Sequence, residues 1–183
     1  MRAGALLLVF GLFVDVYGAS LHDLIEALDT RETIWLYNRS YQGSRDAPSE
    51  TCVRWHRKRV IVEESLYIFD NDYKNGTEYH TDYNTTATLS GSDNNAVMNV
   101  TYVREGLGTT NVSYKMNMWD KEGQCFILTR INKNGATGGC ELHLRQEKVL
   151  ELLPKGGETS CDKMYKELCP VQGPEVFSQH ACM

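Results

Sequence analysis

The sequence predicts an eight-stranded, up-and-down antiparallel β-barrel, with a short helix before it and a second helix packed on its outside. Between Thr33 and Lys148, eight segments are rich in aromatic and β-branched residues, and short clusters of Gly, Asn, Asp and Ser separate them. Helical patterns flank this series on both sides. Consecutive strands joined by short turns pair as hairpins, and a closed barrel leaves no open edge.

The first helix is predicted over Ser20 to Leu28. Its Leu and Ile residues recur at i, i+3, i+4 and i+7, and Ser20 and Asp23 are placed as a capping box. The predicted strands follow the first helix without another helical pattern between them. They cover Thr33 to Tyr41, Thr51 to Val62, Ser65 to Phe69, Thr77 to Leu89, Ala96 to Arg104, Asn111 to Trp119, Gln124 to Ile131 and Gly139 to Gln146.

The second helix is predicted over Thr159 to Leu168. Thr159 and Asp162 are placed as a capping box, and Pro170 ends the pattern. A barrel of eight strands is just wide enough inside to hold one small ligand. The predicted barrel could therefore contain a cavity for one small ligand.

Residues 1–18 have the pattern of a secretory signal, with Arg2, an apolar run from Ala5 to Val14, and small residues before Ala19. The alternative is a membrane anchor, but a span needs about 20 apolar residues. We therefore expect a secreted, extracellular protein whose residues 19–183 form one soluble domain, without membrane contact. Hydrophobic residues make up 42% of the chain and charged ones 23%, so this domain can bury a substantial core.

The net charge of −5 argues against a nucleic-acid partner, because such binding needs clustered Lys and Arg. The chain has no nucleophile elbow, phosphate loop or metal-binding motif, and its five His residues are scattered. We expect no enzyme activity, no cofactor and no metal, and a monomer. The basic stripe Arg54 to Arg59 could bind a sulfated polysaccharide, although a solvated strand face is the more ordinary interpretation.

Six cysteines behind a signal segment predict three disulfides, for which the count alone allows fifteen connectivities. Five sequons predict N-glycosylation of an extracellular protein. The predicted glycosylation sites are Asn38, Asn75, Asn84, Asn99 and Asn111.

The sequons also predict which strand residues face inward, because a glycan must point to solvent and strand side chains alternate. The resulting interior is aromatic and rich in Met, which suits a wall around a ligand, while a filled core without a cavity is the alternative. The inward set includes Trp35, Tyr37, Tyr41, Tyr83, Tyr102, Tyr114 and Met116.

A spaced pattern begins at Cys125. Cys125-Phe126-Ile127, a spacer, Glu141-Leu142-His143, a second spacer and Cys161 resemble the signature of the tick salivary lipocalins, the histamine-binding protein family. That signature reads Cys-Asp-aliphatic, Glu-Leu-Trp or Tyr, then Cys. The resemblance extends over most of the chain after the signal segment and implies a lipocalin barrel.

The resemblance also implies a disulfide pairing and a ligand class. It pairs Cys125 with Cys161 and Cys52 with Cys182, which leaves Cys140 for Cys169. The family holds amines such as histamine and serotonin, and some members hold lipids, sterols or eicosanoids. By the resemblance, Glu141 and Asp29 become candidate carboxylate contacts for a protonated amine.

Two signature positions differ here, because Phe126 replaces the Asp and His143 replaces the Trp or Tyr. The ligand wall therefore becomes more apolar and suits a lipid or sterol better than a compact dication, although the resemblance places an amine first. The inward apolar residues of this wall are Met98, Met116, Met118, Phe126 and Leu128. Glu141 is either a ligand contact or one half of a buried pair with Arg39 or Arg130. We expect a secreted protein that sequesters a small host mediator and so suppresses inflammatory and immune defence. The alternative class is an immunomodulator that contacts a host immune protein or cell.

Overall fold

A computed structural model describes residues 18–42, 50–104, 106 and 108–183. Each strand pairs antiparallel with the next along the chain, and the last pairs with the first, so that the predicted up-and-down barrel is closed and the prediction is confirmed. The predicted signal, residues 1–18, lies outside the described residues apart from Gly18. The strands are β1 (Ile34–Arg39), β2 (Glu50–Ile61), β3 (Leu66–Asn75), β4 (Glu78–Ser92), β5 (Asn95–Arg104), β6 (Gly108–Asp120), β7 (Cys125–Ile131) and β8 (Thr137–Arg145).

Both predicted helices are present, and two short helices were not predicted. None of the helices in the described part of the chain combines the length and apolar character that crossing a membrane requires. The helices are α1 (Leu21–Leu28), α2 (Gln146–Leu152), α3 (Ser160–Leu168) and α4 (Gln179–Cys182), and a 3₁₀ turn (Val62–Glu64) links β2 to β3.

Helix α1 closes one end of the barrel, which we call the closed end. Ser20 caps the helix by accepting a hydrogen bond from the Asp23 N–H at 3.2 Å, and the Asp23 carboxylate accepts one from the Ser20 N–H at 2.8 Å. The face carrying Leu24, Ala27 and Leu28 is fully buried among the inward residues of the barrel. This burial holds the helix across the opening.

Apolar side chains fill the half of the barrel next to α1. Met98, Met116, Phe126 and Leu128 face inward, as expected, and all four are completely buried in one cluster. The filled-core alternative is therefore correct for this half. Any ligand space must lie in the other half, which we call the open end.

A second apolar cluster lies outside the barrel, between its wall and the helices α2, α3 and α4. We call it the outer core, and all six cysteines belong to it. The pairing is the one that the resemblance implied: Cys52–Cys182, Cys125–Cys161 and Cys140–Cys169. The disulfides thus join the barrel wall to the segment that follows it.

Irregular pairing in two strands makes part of the predicted inward set wrong. The β1–β8 register shifts between Leu36 and Asn38, so the orientation inferred from Asn38 does not extend back along β1. Trp35 and Tyr37 therefore face the outer core, where their rings lie 5.2 and 5.3 Å from that of Phe177.

A second register shift affects β4. It lies between Phe69 and Asn71 in the β3–β4 pairing, and Asn84 has a left-handed φ of 53°. Tyr83 consequently faces outward and is 69% exposed, whereas Thr85, two residues later, is buried. The prediction that Tyr83 faces the interior is wrong.

Strand β3 runs to Asn75, although the prediction ended it at Phe69. The added residues include the polar residues Asn71 and Asp72. Asn71 is nevertheless buried, and its amide donates to the Asp82 carboxylate at 3.0 Å while its Oδ1 accepts from the Trp55 indole at 3.1 Å. These partners make a buried polar residue acceptable inside the open end.

Candidate functional site

A cavity of about 100 Å³ occupies the open end of the barrel. Its walls are the ends of the strands that lie farthest from α1, and its floor is the filled half of the barrel. Ligand pockets in proteins usually measure about 300 to 1,000 Å³. The cavity is smaller than this range, and its volume favours a compact ligand over a sterol or a fatty-acid chain.

Five of the predicted ligand residues line this cavity, together with charged and aromatic residues that the prediction did not assign to the ligand. The predicted residues are Tyr41, Tyr102, Tyr114, Glu141 and His143. The additional ones include Arg39, Glu50, Trp55, Asn71, Arg104 and Arg130.

Glu141 is the most enclosed carboxylate of the cavity, with a side chain only 2% exposed. Its Oε1 accepts from Arg130 Nε at 3.1 Å, from the Tyr114 hydroxyl at 3.2 Å, and from the Tyr41 hydroxyl. Its Oε2 lies 3.0 Å from His143 Nε2. Four donors on two oxygens satisfy nearly all that a carboxylate can accept.

These partners determine the charge of Glu141. Burial alone would raise its pKa, but the Arg130 guanidinium, the His143 ring and the Tyr41 hydroxyl together lower the pKa to about 2. Glu141 is thus ionised at any physiological pH. Of the two alternatives drawn from the sequence, the structure contains the buried pair with Arg130.

The Arg130 guanidinium lies among the aromatic rings of the cavity. Its central carbon is 3.9 Å from the centre of the Tyr41 ring, within cation–π distance, and 5.7 Å from that of Tyr114. Its Nη2 lies 3.4 Å from the Tyr114 hydroxyl. The side chain remains 32% exposed, so Arg130 extends from the wall toward the mouth.

A second charged group lies across the cavity. Arg104 pairs with Glu50 at 2.7 Å and with Asp82 at 3.3 Å. Asp82 also accepts from the Asn71 amide and lies 3.5 Å from the Tyr73 hydroxyl. Asp82 is therefore well satisfied, whereas Arg104 is the one partner of Glu50 among the described residues.

The environment of Glu50 leaves its charge poorly compensated. Burial raises the pKa of Glu50, and the nearby Asp82 adds to this effect. The attraction of Arg104 and, more weakly, of Arg39 lowers the pKa but does not cancel the rise. Its side chain is only 16% exposed. A further cation beside Glu50 would stabilise the ionised form.

Two polar atoms of cavity residues have no hydrogen-bond partner within the described part of the chain. They are Arg39 Nε and His143 Nδ1, and both are buried. The His143 ring lies 4.5 Å from that of Trp55 and 4.9 Å from that of Phe126, the latter at an interplanar angle of 6°. Both atoms are enclosed by the surrounding side chains rather than exposed in the cavity.

Several predicted ligand residues lie elsewhere. Trp35, Tyr37 and Tyr83 are outside the barrel, as described above. Met116 and Phe126 face inward but belong to the filled half, below the cavity. Each is completely buried.

Asp29 lies away from the cavity, at the closed end of the barrel. It follows the last turn of α1, is exposed, and forms an ion pair with Arg57. The expectation that Asp29 contacts a ligand in the barrel is not supported by this position.

Arg104 was missed as a cavity residue, and Arg130 was named only as a possible partner of Glu141, although alternation indicated that both side chains face inward. Met98, Val100 and Tyr102 face inward, and Arg104 continues this series in steps of two. Arg130 likewise continues the series from Phe126. Glu50 had no such signal, because Cys52 has a left-handed φ of 53° and the β2–β3 register shifts after Thr51.

Two sequons form a reciprocal pair on the outside of the barrel. Asn99 lies opposite Ser113, and Thr101 lies opposite Asn111, on the neighbouring strands β5 and β6. The Ser113 hydroxyl donates to Asn99 Oδ1 at 2.6 Å, and the Thr101 hydroxyl donates to Asn111 Oδ1 at 2.9 Å. Both Asn side chains are exposed, as the orientation argument predicted.

A comparison with protein families supplies an independent finding. A family model described as tick histamine binding protein matches residues 18–183, which include all the barrel strands and helices described above. A comparison with curated proteins found no match. No group of three or more His, Cys, Asp or Glu in the described ranges is arranged to hold a metal ion.

Proposed function

The chain belongs to the tick histamine-binding protein family, and we propose that it is secreted in saliva and sequesters a biogenic amine of the host, such as histamine or serotonin. This is a family of binding proteins rather than enzymes. Three disulfides fit the oxidising environment of a secreted protein. Removal of the amine would suppress inflammatory and immune defence at the bite.

The poorly compensated carboxylate of Glu50 at the wall of a compact cavity carries this proposal. An ammonium group placed beside Glu50 would supply the countercharge that Arg104 only partly provides. The Trp55 and Tyr102 rings line the same cavity. Aromatic walls stabilise a cation further when water is excluded.

Lipids and sterols fit the cavity less well. The apolar side chains that suggested them, Met116 and Phe126 among them, pack against each other below the cavity and leave no apolar channel. An immunomodulator acting through contacts with a host protein is the alternative of another class. Retention of amines by the purified protein distinguishes these possibilities.

The test is calorimetric titration of histamine and serotonin, beside cholesterol and a fatty acid, into the wild type and Glu50→Gln. Loss of a charge-assisted hydrogen bond should weaken amine binding about 10- to 150-fold. Glu63→Gln, at an exposed position outside the cavity, is the control and should bind as the wild type does. Binding of the sterol or the fatty acid without amine binding would refute the proposal.

The pH dependence gives a second check. Only the ionised carboxylate of Glu50 attracts an ammonium group, and burial raises its pKa. Amine affinity should therefore fall as the pH decreases through that raised pKa. Glu50→Gln should lack this component of the pH profile.

A further inference from the structure

We propose that Arg130 is a specificity-determining residue that occupies, with its own guanidinium, a cation subsite formed by Glu141, Tyr41 and Tyr114. The inference rests on the proposed function in one respect, because it takes the cavity to be where the ligand binds. It goes further by stating which carboxylate of the cavity a ligand cation does not reach, and why.

The three residues around the guanidinium have the chemistry that recognises a protonated amine. Glu141 supplies a buried negative charge, the Tyr41 ring supplies a face 3.9 Å from the guanidinium carbon, and the Tyr114 hydroxyl supplies a polar contact. A carboxylate combined with an aromatic face is a favourable environment for a cation that has lost its water. In this chain, the cation in that environment is the guanidinium of Arg130.

Groups of the protein already use nearly all the hydrogen-bonding positions of the Glu141 carboxylate. Arg130 takes one position on Oε1 of Glu141, two tyrosine hydroxyls take others, and His143 takes Oε2. A ligand ammonium could reach Glu141 only by displacing the guanidinium, whose positive charge would then repel it in the same small space. Amines are therefore directed to the opposite wall, where Glu50 lies.

The guanidinium of Arg130 lies where its removal should leave the barrel folded. It is the penultimate residue of β7, its side chain is 32% exposed, and it approaches the subsite from the mouth. The subsite residues Tyr41 and Glu141 belong to other segments of the chain. Removing the guanidinium should therefore leave a vacated, negatively charged space.

The experiment is chemical rescue of Arg130→Ala with ethylguanidinium, the fragment that this substitution deletes. We expect millimolar ethylguanidinium to raise the thermal midpoint of Arg130→Ala and to bind it calorimetrically, with no such effect on the wild type. Arg59→Ala, at an exposed position, is the control for loss of a surface arginine and should show no uptake. Arg130→Lys, which keeps a charge on this side chain, should also show none.

A second substitution assigns the uptake to Glu141. Ethylguanidinium affinity for Arg130→Ala/Glu141→Gln should be about 10- to 150-fold weaker than for Arg130→Ala. If Arg130→Ala does not fold alone, refolding it with and without ethylguanidinium gives the same information, because the probe should restore the fold. No uptake and no restored folding, or uptake that does not depend on Glu141, would overturn the inference. Amine binding to the wild type through Glu50 is measured separately and is unaffected by either outcome.

Discussion

The substitution Glu141→Gln tests the central charge network, because it keeps the size of the side chain and removes its charge. Arg130 then becomes a buried cation without a countercharge, which costs about 3 to 5 kcal/mol when one partner of a buried pair is lost. Since 32% of the Arg130 side chain stays exposed, water screens part of this cost. We therefore expect a loss of about 3 kcal/mol in the free energy of unfolding.

The assay is urea denaturation at pH 7, followed by near-UV and far-UV signals. The double variant Glu141→Gln/Arg130→Met removes both charges and should recover most of the loss, so the double-mutant cycle should give a large coupling energy. Glu151→Gln is the control, because Glu151 pairs with Lys148 on the surface and should change stability by about 0.5 kcal/mol or less. A loss below about 1 kcal/mol for Glu141→Gln would refute the reasoning.

The difference in the free energy of unfolding between the wild type and Glu141→Gln should depend on pH, and the structure gives the sign of this dependence. The pKa of Glu141 is lowered from its ordinary value of 4.5 to about 2 in the folded protein. The unfolded chain therefore binds this proton first, and the stability contributed by Glu141 is complete above pH 4.5 and is lost as the pH falls toward 2. The stability advantage of the wild type over Glu141→Gln should shrink across that interval.

Three further predictions concern the rest of the fold. Replacing Cys52 and Cys182 by Ser should lower the free energy of unfolding by roughly 5 kcal/mol, because this disulfide spans 130 residues. Loss of the Cys140–Cys169 disulfide, which spans 29 residues, should lower it by about 3.6 kcal/mol, and denaturant titration measures both losses. Glycopeptide mass spectrometry of the secreted protein should find Asn99 and Asn111 modified, and unmodified peptides from both would contradict the outward assignment of this face. Tyr83→Ser should change the free energy of unfolding, measured by thermal denaturation, by less than about 0.5 kcal/mol. A loss above about 1 kcal/mol would indicate that this ring is buried.

Local sequence patterns were sufficient for most of the fold. Strand composition and short turns gave the eight strands and their order, and the capping boxes placed α1 and α3. The cysteine pairing was not available from spacing and followed the family resemblance, which the structure matches. Helices α2 and α4 were missed because each is too short to show a clear helical period.

The site was less predictable, because it depends on where alternation fails. A single irregular residue reverses every side chain beyond it, and such shifts misplaced Trp35, Tyr37 and Tyr83. Along β5 and β7, alternation extends correctly to Arg104 and Arg130. Partner choice, such as that of Arg130 for Glu141, follows from neighbouring strand positions that the sequence does not pair by itself.

The contact between Phe126 and His143 couples the two barrel positions at which this chain departs from the signature it resembles. The two residues lie directly opposite each other on β7 and β8, and their rings are stacked. His143 also lies 3.0 Å from Oε2 of Glu141. A substitution at position 126 therefore alters the packing of a ring that contacts Glu141, and the effects of substitutions at positions 126 and 143 on the free energy of unfolding should not be additive.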